Sequence, residues 1–428
     1  MVKTYQVSAV NRNFDTFITP FCIQFDMDSI ERPAYFERII DFIGNPNAKV
    51  VTGVRRCGKS TFMHQISEKI CSEGDVNIIY IDFELMANIH LKDMEKFYTH
   101  IKDQLISGKK NVLFVDEVHE VTGWESVIRS LIAEKVCDIY LTGSNSKLLS
   151  SEYATYLSGR INTLEMLPLS FRECSMFNDA FCSPKTDEKL LWKFIEIGGF
   201  PLVWLREQSK TSAYLTLRDI LNTVKTRDIV DRYGIKDRDL LDRIFMFICS
   251  NLGNLTSLNN MYNILHAENS SVSRSTVYDY AGYLESSYLV YKAHMYDVKG
   301  KRLFSEKYKY FLSDIGLKHA ALGYRFNDIP GHMENVLFLD LKARGYDVWI
   351  GNNAGKEVDL IGEKFGKRVY VQSVYRFSEN AVRREFDNLR GIDDNHPKYV
   401  VTMDEHMRGN TDGIICCGLD EFLKREEL

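Results

Sequence analysis

The residues with the clearest chemical signature form a loop that follows the β-branched run Val50-Val51-Thr52. The loop has the pattern Gly-x-x-x-x-Gly-Lys-Ser, and apolar residues at helical spacing follow it. In such a strand–loop–helix unit the backbone amides bind polyphosphate, the lysine pairs with the β- and γ-phosphates, and the serine ligates Mg²⁺. The pattern predicts an ATP-binding loop made of Gly53, Val54, Arg55, Arg56, Cys57, Gly58, Lys59, Ser60 and Thr61.

ATP hydrolysis also needs acidic residues beside the phosphates, and such residues follow the apolar run Val112-Leu113-Phe114-Val115. This run is long enough for a buried parallel strand, and it leads into Asp116 and Glu117. We predict that Asp116, together with Ser60, holds Mg²⁺, and that Glu117 polarises the attacking water. The alternative is that the two acids merely begin a loop, which the phosphate loop upstream makes the weaker interpretation.

Three more residues are catalytic candidates. Ser144 and Asn145 follow the strand-like run 138–142, where either side chain could contact the γ-phosphate or the water, and the sequence does not choose between them. Arg160 precedes a further strand and is a candidate arginine finger, in its own subunit or in a neighbour of a homo-oligomer. An ordinary surface arginine is the equal alternative, and Arg55 and Arg56 are weaker candidates for the same role.

These residues require a layered α/β core to position them. Alternation of apolar runs with helical patterns predicts a parallel sheet with helices on both faces, and a phosphate site at the carboxyl ends of the strands. We predict strands at 49–53, 77–83, 111–116, 138–143 and 160–166, and helices at about 59–72, 91–106, 124–135 and 145–155.

The length of 428 residues predicts several domains. The predicted order is an N-terminal arm without assigned function (1–32), the P-loop core (33–185), a small helical lid (186–239), a winged helix-turn-helix (240–325) and a second α/β unit (326–428). In the lid, Arg227 and Asp228 are predicted to lie on a solvated helix face, or else to serve the nucleotide or a domain interface.

The winged-helix prediction carries a possible DNA contact. Three helices are expected, the third capped by Ser273, followed by two strands around a basic turn. A third helix and a basic wing can read a major groove and hold phosphates. Because such folds are also common protein–protein modules, double-stranded DNA and a protein partner both stay open. The predicted DNA-contacting residues are Arg274, Lys299, Lys301 and Arg302, with Lys307 and Lys309 beside them.

The last hundred residues carry a helix acid, Glu334, a strand acid, Asp359, and then Gln372 on the next strand. This spacing resembles that of PD-(D/E)xK nucleases, which use two acids for Mg²⁺ and a lysine beside the reacting phosphate. Here Gln372 is neutral and Val374 stands where the lysine is expected. We therefore predict a nuclease-like domain that binds but does not cut.

Composition sets wider limits. The hydrophobic content of 45%, the charged content of 26% and the absence of a long apolar run predict a soluble cytoplasmic protein without a membrane span. The net charge of −5 restricts any nucleic-acid binding to a local patch. Nine cysteines without a C-x-x-C pair predict reduced thiols.

Taken together, the chain resembles the AAA-type ATPases of bacteria and archaea in which a P-loop domain precedes a domain of unknown function with a nuclease-like fold. The resemblance rests on the phosphate loop, on Asp116-Glu117 and on four further stretches: Leu141–Ser144, Gly198–Pro201, Lys225–Val230 and Glu357–Leu360. It implies an ATP-binding protein of the ATPase class with a catalytic glutamate. Two functions remain: an ATP-hydrolysing switch or motor that acts on DNA, and an ATP-gated protein whose partner is another protein.

Overall fold

The computed structural model describes residues 30–146, 157, 159–300, 302–376, 379–404 and 408–428. Of the predicted N-terminal arm only residues 30–32 are included, and most of the helix predicted at 145–155 lies outside the described residues. None of the described helices combines the length and the apolar character that crossing a membrane requires. Every cysteine within the described ranges is a free thiol.

The N-terminal half is built on a five-stranded parallel sheet, as predicted. The strand order is β2-β3-β4-β1-β5, and each neighbouring pair is parallel. The central strands are buried on both faces, which explains why their sequences are continuous apolar runs rather than alternating ones. The strands are β1 (Ala48–Thr52), β2 (Val76–Asp82), β3 (Lys110–Asp116), β4 (Asp138–Gly143) and β5 (Ile161–Glu165).

Helices cover both faces of this sheet and enclose two separate apolar cores. Phe62 and Ile66 of the helix after the phosphate loop belong to one core, whereas Phe97 and Ile128 belong to the other. The helices are α1 (Pro33–Ile39), α2 (Lys59–Ser72), α3 (Met94–Gln104) and α4 (Trp124–Glu134). The phosphate loop between β1 and α2 thus lies at the carboxyl edge of the sheet.

A helical segment follows, in which one helix continues as an unusual π-helical turn, Val224–Asp231. Turns of this kind are rare and often mark functional sites. The helices of this segment are α5 (Phe171–Phe181), α6 (Asp187–Ile197) and α7 (Lys210–Thr223), and the π-helical turn directly continues α7.

Residues 238–312 contain the three predicted helices and the two predicted strands. Ser273 caps the third helix, since its hydroxyl accepts a hydrogen bond from the Thr276 amide (3.1 Å). The elements are α8 (Arg238–Ser250), α9 (Leu258–Glu268), α10 (Arg274–Ser286), β6 (Val290–Asp297) and β7 (Arg302–Leu312).

The β6–β7 hairpin does not stand apart from the chain that follows, because β6 pairs in parallel with β8 through Met295 and Ile350. One eight-stranded sheet, ordered β12-β13-β11-β10-β9-β8-β6-β7, therefore crosses the predicted boundary at 325/326. The remaining elements are α11 (Ile315–Leu322), α12 (Ile329–Ala343), β8 (Asp347–Asn353), β9 (Lys356–Lys364), β10 (Lys367–Val374), α13 (Glu379–Arg390), β11 (Lys398–Thr402), β12 (Gly409–Thr411), β13 (Ile414–Gly418) and α14 (Leu419–Lys424).

Candidate active site

The phosphate loop has a backbone that only glycine permits at its two ends. Gly53 has φ +144°, and a Cβ there would lie 2.0 Å from the Met166 carbonyl oxygen. Gly58 caps α2 with φ +103°, a conformation that side chains rarely adopt. Between them the thiol of Cys57 is buried and donates to the Met166 carbonyl (3.2 Å). The loop is therefore fixed against β5 before any ligand binds.

The polar residues of the loop differ in their burial and in their hydrogen-bond partners. Lys59 is buried, and its Nζ donates to the carbonyls of Gly53 (3.0 Å) and Val54 (3.3 Å). Both partners are neutral oxygens, which an anionic phosphate oxygen can replace at an ammonium group. Ser60 and Arg56 are exposed, and Thr61 is half-buried. The donor set fits a polyphosphate with Mg²⁺ at Ser60.

Arg32, the last residue of the predicted arm, belongs to the core and supports the loop. It is buried, with its guanidinium bound by both carboxylate oxygens of Glu173 (2.6 and 2.9 Å). It also donates to the carbonyls of Cys57 (3.1 Å) and Leu167 (2.9 Å). Arg32 thus connects the phosphate loop with the segment 167–173 of the core, although the predicted boundary places it in the N-terminal arm.

Asp116 and Glu117 lie at the end of β3, next to Thr142 at the end of β4. The Thr142 hydroxyl donates to Asp116 Oδ1 and accepts from the Glu117 amide (2.9 Å for the second bond). Glu117 has φ +55°, which costs a non-glycine residue roughly 1–2 kcal/mol. Strain of this kind clusters at functional sites. The structure thus brings together the two acids that the sequence predicted, and it adds Thr142 as the residue that holds both.

The environment of Glu117 makes it a proton acceptor near neutral pH. Burial raises the pKa of Glu117 to about 7, and Asp116 adds to the effect while Lys59 opposes it. Glu117 Oε2 lies 3.1 Å from His119 Nδ1 and accepts from the Ser144 amide (3.3 Å). A carboxylate with a pKa near the working pH is suited to general base catalysis.

His119, two residues after Glu117, and Arg232 of the lid lie beside Glu117, and no sequence pattern pointed to either. Arg232 donates to His119 Nε2, so the ring proton resides on Nδ1, the nitrogen that faces Glu117. Burial, followed by the charge of Arg232, lowers the pKa of His119 to about 4, which keeps the ring neutral. The neutral ring therefore faces the glutamate without adding a positive charge, although its Nδ1 makes no hydrogen bond within the described residues.

We expect kcat/KM for ATP hydrolysis to fall on the acid side of about pH 7, because only the ionised form of Glu117 accepts a proton. Below its pKa the ionised fraction drops tenfold per pH unit, so the rate falls as pH decreases. Initial rates at low ATP across pH measure this directly. Glu188→Gln, which neutralises an exposed acid at the start of α6 that does not line the cleft of Glu117, should keep the same acid limb. A pH-independent kcat/KM in the wild type contradicts the assignment.

Ser144 contacts the lid, and Asn145 lies beside it. The buried Ser144 hydroxyl donates to Asp228 Oδ1 (2.9 Å), and Asn145 Nδ2 lies 3.4 Å from the Tyr233 hydroxyl. Arg55 of the phosphate loop binds the same Asp228 carboxylate, with Nε at 3.0 Å. Asp228 is buried, so the prediction of a solvated helix face is wrong for this residue.

Arg160 is not part of this group. It is exposed and immediately precedes β5, and its carbonyl accepts from the amide of Ala48, the first residue of β1. The phosphate loop follows the other end of β1, on the order of 15 Å away at about 3.3 Å per residue. A role for Arg160 in its own subunit is therefore wrong, whereas a role in a neighbouring subunit stays a prediction.

Comparisons with known proteins show the family to which the chain belongs. A family model described as an AAA domain matches residues 45–175, and one described as a domain of unknown function (DUF8612) matches residues 188–328. The chain is similar to an uncharacterized protein of Haemophilus influenzae, at 33% identity over 388 residues, which cover 90% of this chain and 96% of that protein. The chain belongs to the AAA-type P-loop ATPases.

Two further likenesses are more distant. An uncharacterized protein of Methanocaldococcus jannaschii, MJ1544, is 31% identical to this ATPase over 353 residues, which cover 79% of this chain and 76% of that protein. The structure of the Aeropyrum pernix ORC1 protein in complex with DNA is matched with a TM-score of 0.35 and 11% identity, over 71% of this chain and 96% of that one. A TM-score of 0.35 supports no argument about function.

A second polar site of the ATPase lies in a cleft of about 1010 Å³, where α12, β7, β9 and β10 meet. It contains the three residues that the nuclease-like spacing predicted: the Asp359 amide donates to Gln372 Oε1 (3.2 Å), and Gln372 Nε2 donates to Glu385 (2.7 Å). Glu334 lies in the same cleft. Within the described residues, no group of three or more histidine, cysteine or acidic side chains is arranged to hold a metal ion.

Lys309 occupies this cleft, so the inference that no lysine is present there is wrong. Its Nζ forms ion pairs with Glu334 (2.8 Å) and Glu357 (2.7 Å), and its side chain is 2% exposed. Its assignment to a basic DNA-contacting wing is also wrong, because β7 turns it inward. The lysine comes from a strand that precedes Glu334 in the chain, whereas the nuclease pattern places it after the acids.

The remaining basic residues of the predicted wing differ in position. Arg274 at the start of α10, Lys299 in the hairpin turn and Lys307 on β7 are exposed. Arg302 is exposed and lies 3.7 Å from Asp297. Lys301 lies outside the described residues. The accessible positive charge is therefore smaller than the sequence predicted.

Proposed function

We propose that this protein binds and hydrolyses ATP with Mg²⁺ and works as an ATP-driven switch or motor on DNA. The observation that carries the proposal is the convergence of Lys59, Asp116 and Glu117 at one edge of the sheet, next to a lid residue, Asp228, that is bonded to the phosphate loop. A nucleotide bound there would contact both the core and the lid. Its hydrolysis can therefore change the position of the lid relative to the core.

Each residue has a role that follows from its contacts. The loop amides and Lys59 would hold the phosphates, while Ser60 and Asp116 would hold Mg²⁺, which neutralises charge that develops on the phosphates. Glu117 acts as the base for the attacking water. Ser144 is the better candidate than Asn145 for sensing the γ-phosphate, because it contacts both Glu117 and the lid.

The DNA-binding part of the proposal rests on α10 and the β6–β7 turn, where exposed positive charge remains at Arg274, Lys299 and Arg302. Duplex DNA is the partner that such a helix and turn fit, since the helix can enter the major groove while the turn holds phosphates. Because the accessible charge is small, we expect modest affinity.

We expect duplex DNA to stimulate ATP turnover, and its binding to weaken steeply with salt. Lys299→Ala should lower the slope of log affinity against log salt by about one unit, because one phosphate contact is lost. Lys189→Ala, which removes an exposed lysine on α6, is the matched control and should leave the slope unchanged. Turnover that duplex DNA does not change, together with a Lys299→Glu variant that binds duplex as tightly as the wild type, contradicts a role on DNA.

An apolar surface beside the nucleotide favours the second candidate function, an ATP-gated protein that binds another protein. Leu85, Met86 and Ile89 follow β2 and are 55%, 77% and 50% exposed. They line the same cleft as Glu117 and Asp228, so a partner bound there would lie next to the nucleotide. One slow turnover with retained ADP, unaffected by DNA, is the result that selects this function.

We expect no DNA cleavage by the C-terminal site. A catalytic Mg²⁺ needs several anionic oxygens, but Gln372 is neutral and the ammonium of Lys309 already pairs with Glu334 and Glu357. A divalent ion would have to displace the Lys309 ammonium, which ion pairs hold between the acidic side chains. The test is incubation of the protein with supercoiled, linear and single-stranded DNA in Mg²⁺ and in Mn²⁺. Cleavage that disappears in Asp359→Ala would overturn this proposal.

A further inference from the structure

Asp228 joins three parts of the nucleotide site through one buried carboxylate. It lies on the π-helical turn Val224–Asp231 of the lid and is 1% exposed. One of its oxygens accepts from Arg55 Nε (3.0 Å), and the other accepts from Arg55 Nη2 (3.2 Å) and from the Ser144 hydroxyl (2.9 Å). The lid is thus tied to the phosphate loop and to the end of β4 at a single point.

The two partners of Asp228 are groups with the chemistry of a phosphate site. A guanidinium binds a carboxylate and a phosphate in the same two-pronged manner, with charge-assisted hydrogen bonds. Ser144 also donates its amide to Glu117, so its hydroxyl lies beside the residue that must face the attacked phosphate. A carboxylate of the protein itself therefore occupies these donors.

The charges around Asp228 indicate that a phosphate group can replace its carboxylate as the acceptor for Arg55 and Ser144. The Arg55 side chain is 11% exposed, and it also pairs with Glu84, whose side chain is 55% exposed. The pKa of Glu117 responds to both Arg55 and Asp228, which places these two charges within interaction range of the catalytic carboxylate. A γ-phosphate that enters this space brings at least one full negative charge next to the Asp228 carboxylate, and two anions cannot share the same donors at low cost.

We propose that Asp228 is a lid latch whose carboxylate holds Arg55 and Ser144 until the γ-phosphate of ATP replaces it. This inference rests on the proposed ATP-binding function. ATP releases the latch and frees the π-helical turn, whereas ADP, which lacks the γ-phosphate, leaves the latch closed. Asp228 is a positioning residue: it does not touch the reacting atoms, but it makes the lid sensitive to one phosphate group.

The latch predicts a specific difference between nucleotides. Because ATP must displace a charged group and ADP does not, Asp228→Asn should tighten binding of a non-hydrolysable ATP analogue by about tenfold, the size expected for a charge-assisted hydrogen bond that no longer has to be broken. ADP affinity should change by less than about twofold. Asp219→Asn is the matched control, since it removes the same charge from an exposed position of α7, the helix that the turn continues, outside the cleft.

The experiment measures equilibrium binding of Mg·ADP and of the Mg·analogue to the full chain by calorimetry, together with hydrogen exchange of residues 224–231. We expect the analogue, but not ADP, to accelerate exchange of this turn in the wild type, a readout that requires no variant to fold. In Asp228→Asn, exchange should be fast in every state. Equal shifts in the two affinities, or exchange in the wild type that does not depend on the γ-phosphate, would overturn the latch alone. Failure of the wild type to bind either nucleotide would overturn the proposed function and the latch with it.

Discussion

Lys59→Ala is expected to abolish nucleotide binding, whereas Glu117→Gln is expected to bind Mg·ATP and to hydrolyse it at least about 100-fold more slowly. The first change removes the buried ammonium of the phosphate loop, which nothing else in the loop replaces as a point charge. The second change keeps the shape of the side chain but removes its ability to accept a proton, and general base catalysis contributes about 10²–10⁴-fold.

Two measurements separate these effects: equilibrium nucleotide binding and single-turnover hydrolysis. Glu188→Gln is the matched control, because Glu188 is an exposed acid at the start of α6 that does not line the cleft of Glu117, and the change should leave both quantities close to wild type. If Glu117→Gln hydrolyses ATP at the wild-type rate, Glu117 is not the base. If Lys59→Ala still binds nucleotide tightly, the loop does not hold the phosphates as proposed.

The parts of this site that the sequence predicted are those set by local chemistry. The loop between Gly53 and Ser60 is defined by glycines whose backbone conformations and close contacts exclude a side chain, and that requirement is visible in the residue types alone. The position of Asp116 and Glu117 is predictable because a buried parallel strand needs a continuous apolar run. The end of that run, where the two acids lie, is easy to locate in the sequence. In both cases the information lies within about ten residues of the chain.

The parts that were missed depend on contacts between distant segments. Asp228 reaches Ser144 and Arg55 across 84 and 173 residues of chain, and Arg232 reaches His119 across 113 residues. The hydrophobic periodicity of the lid helices does not indicate which lid residue faces the sheet. The position of Arg160, in contrast, could be predicted from the sequence. Residues that precede a strand of a parallel sheet lie at the edge opposite to the loops that follow the strands.

Lys309 illustrates the same limit in the C-terminal half. Lys307 and Lys309 lie two residues apart on β7, yet Lys307 is exposed and Lys309 is buried against acids of α12 and β9. From the sequence the two lysines look equivalent, and both were assigned to a basic wing. The β6–β7 pairing is irregular between Phe304 and Tyr308, so Lys307 does not pair with β6, whereas Lys309 pairs with Ala293 and lies against the C-terminal unit.

Lys309→Met is expected to destabilise the protein by up to about 3–5 kcal/mol as pH rises above 8, where the Glu334 carboxyl group becomes ionised and is left buried without its partner. Methionine approximates the volume of the lysine side chain but cannot pair with Glu334 or Glu357. Burial lowers the pKa of Lys309, but Glu334, Asp359 and Glu357 outweigh this effect and raise it above its ordinary value, so the lysine is charged throughout the accessible range.

The pH dependence of this loss has a definite sign. Burial raises the pKa of Glu334 to about 8 even though Lys309 opposes it, against an unfolded value of about 4.3. Ionised Glu334 therefore costs stability as pH rises from the unfolded pKa through the folded one, and Lys309 offsets that cost. Without Lys309 the cost grows, so the destabilisation should be largest above about pH 8 and should shrink toward pH 5, where the carboxyl group is protonated.

Thermal unfolding of the full chain at several pH values tests this expectation, with Lys307→Met as the matched control on the same strand. The control should change stability by no more than about 0.5 kcal/mol, because Lys307 is exposed. A loss of stability in Lys309→Met that is equal at pH 5 and above pH 9 would mean that lost packing, rather than unpaired carboxylates, is responsible. Lys309 would then not be the cation that neutralises this cleft, and the argument against a divalent ion between Glu334 and Asp359 would lose its main support.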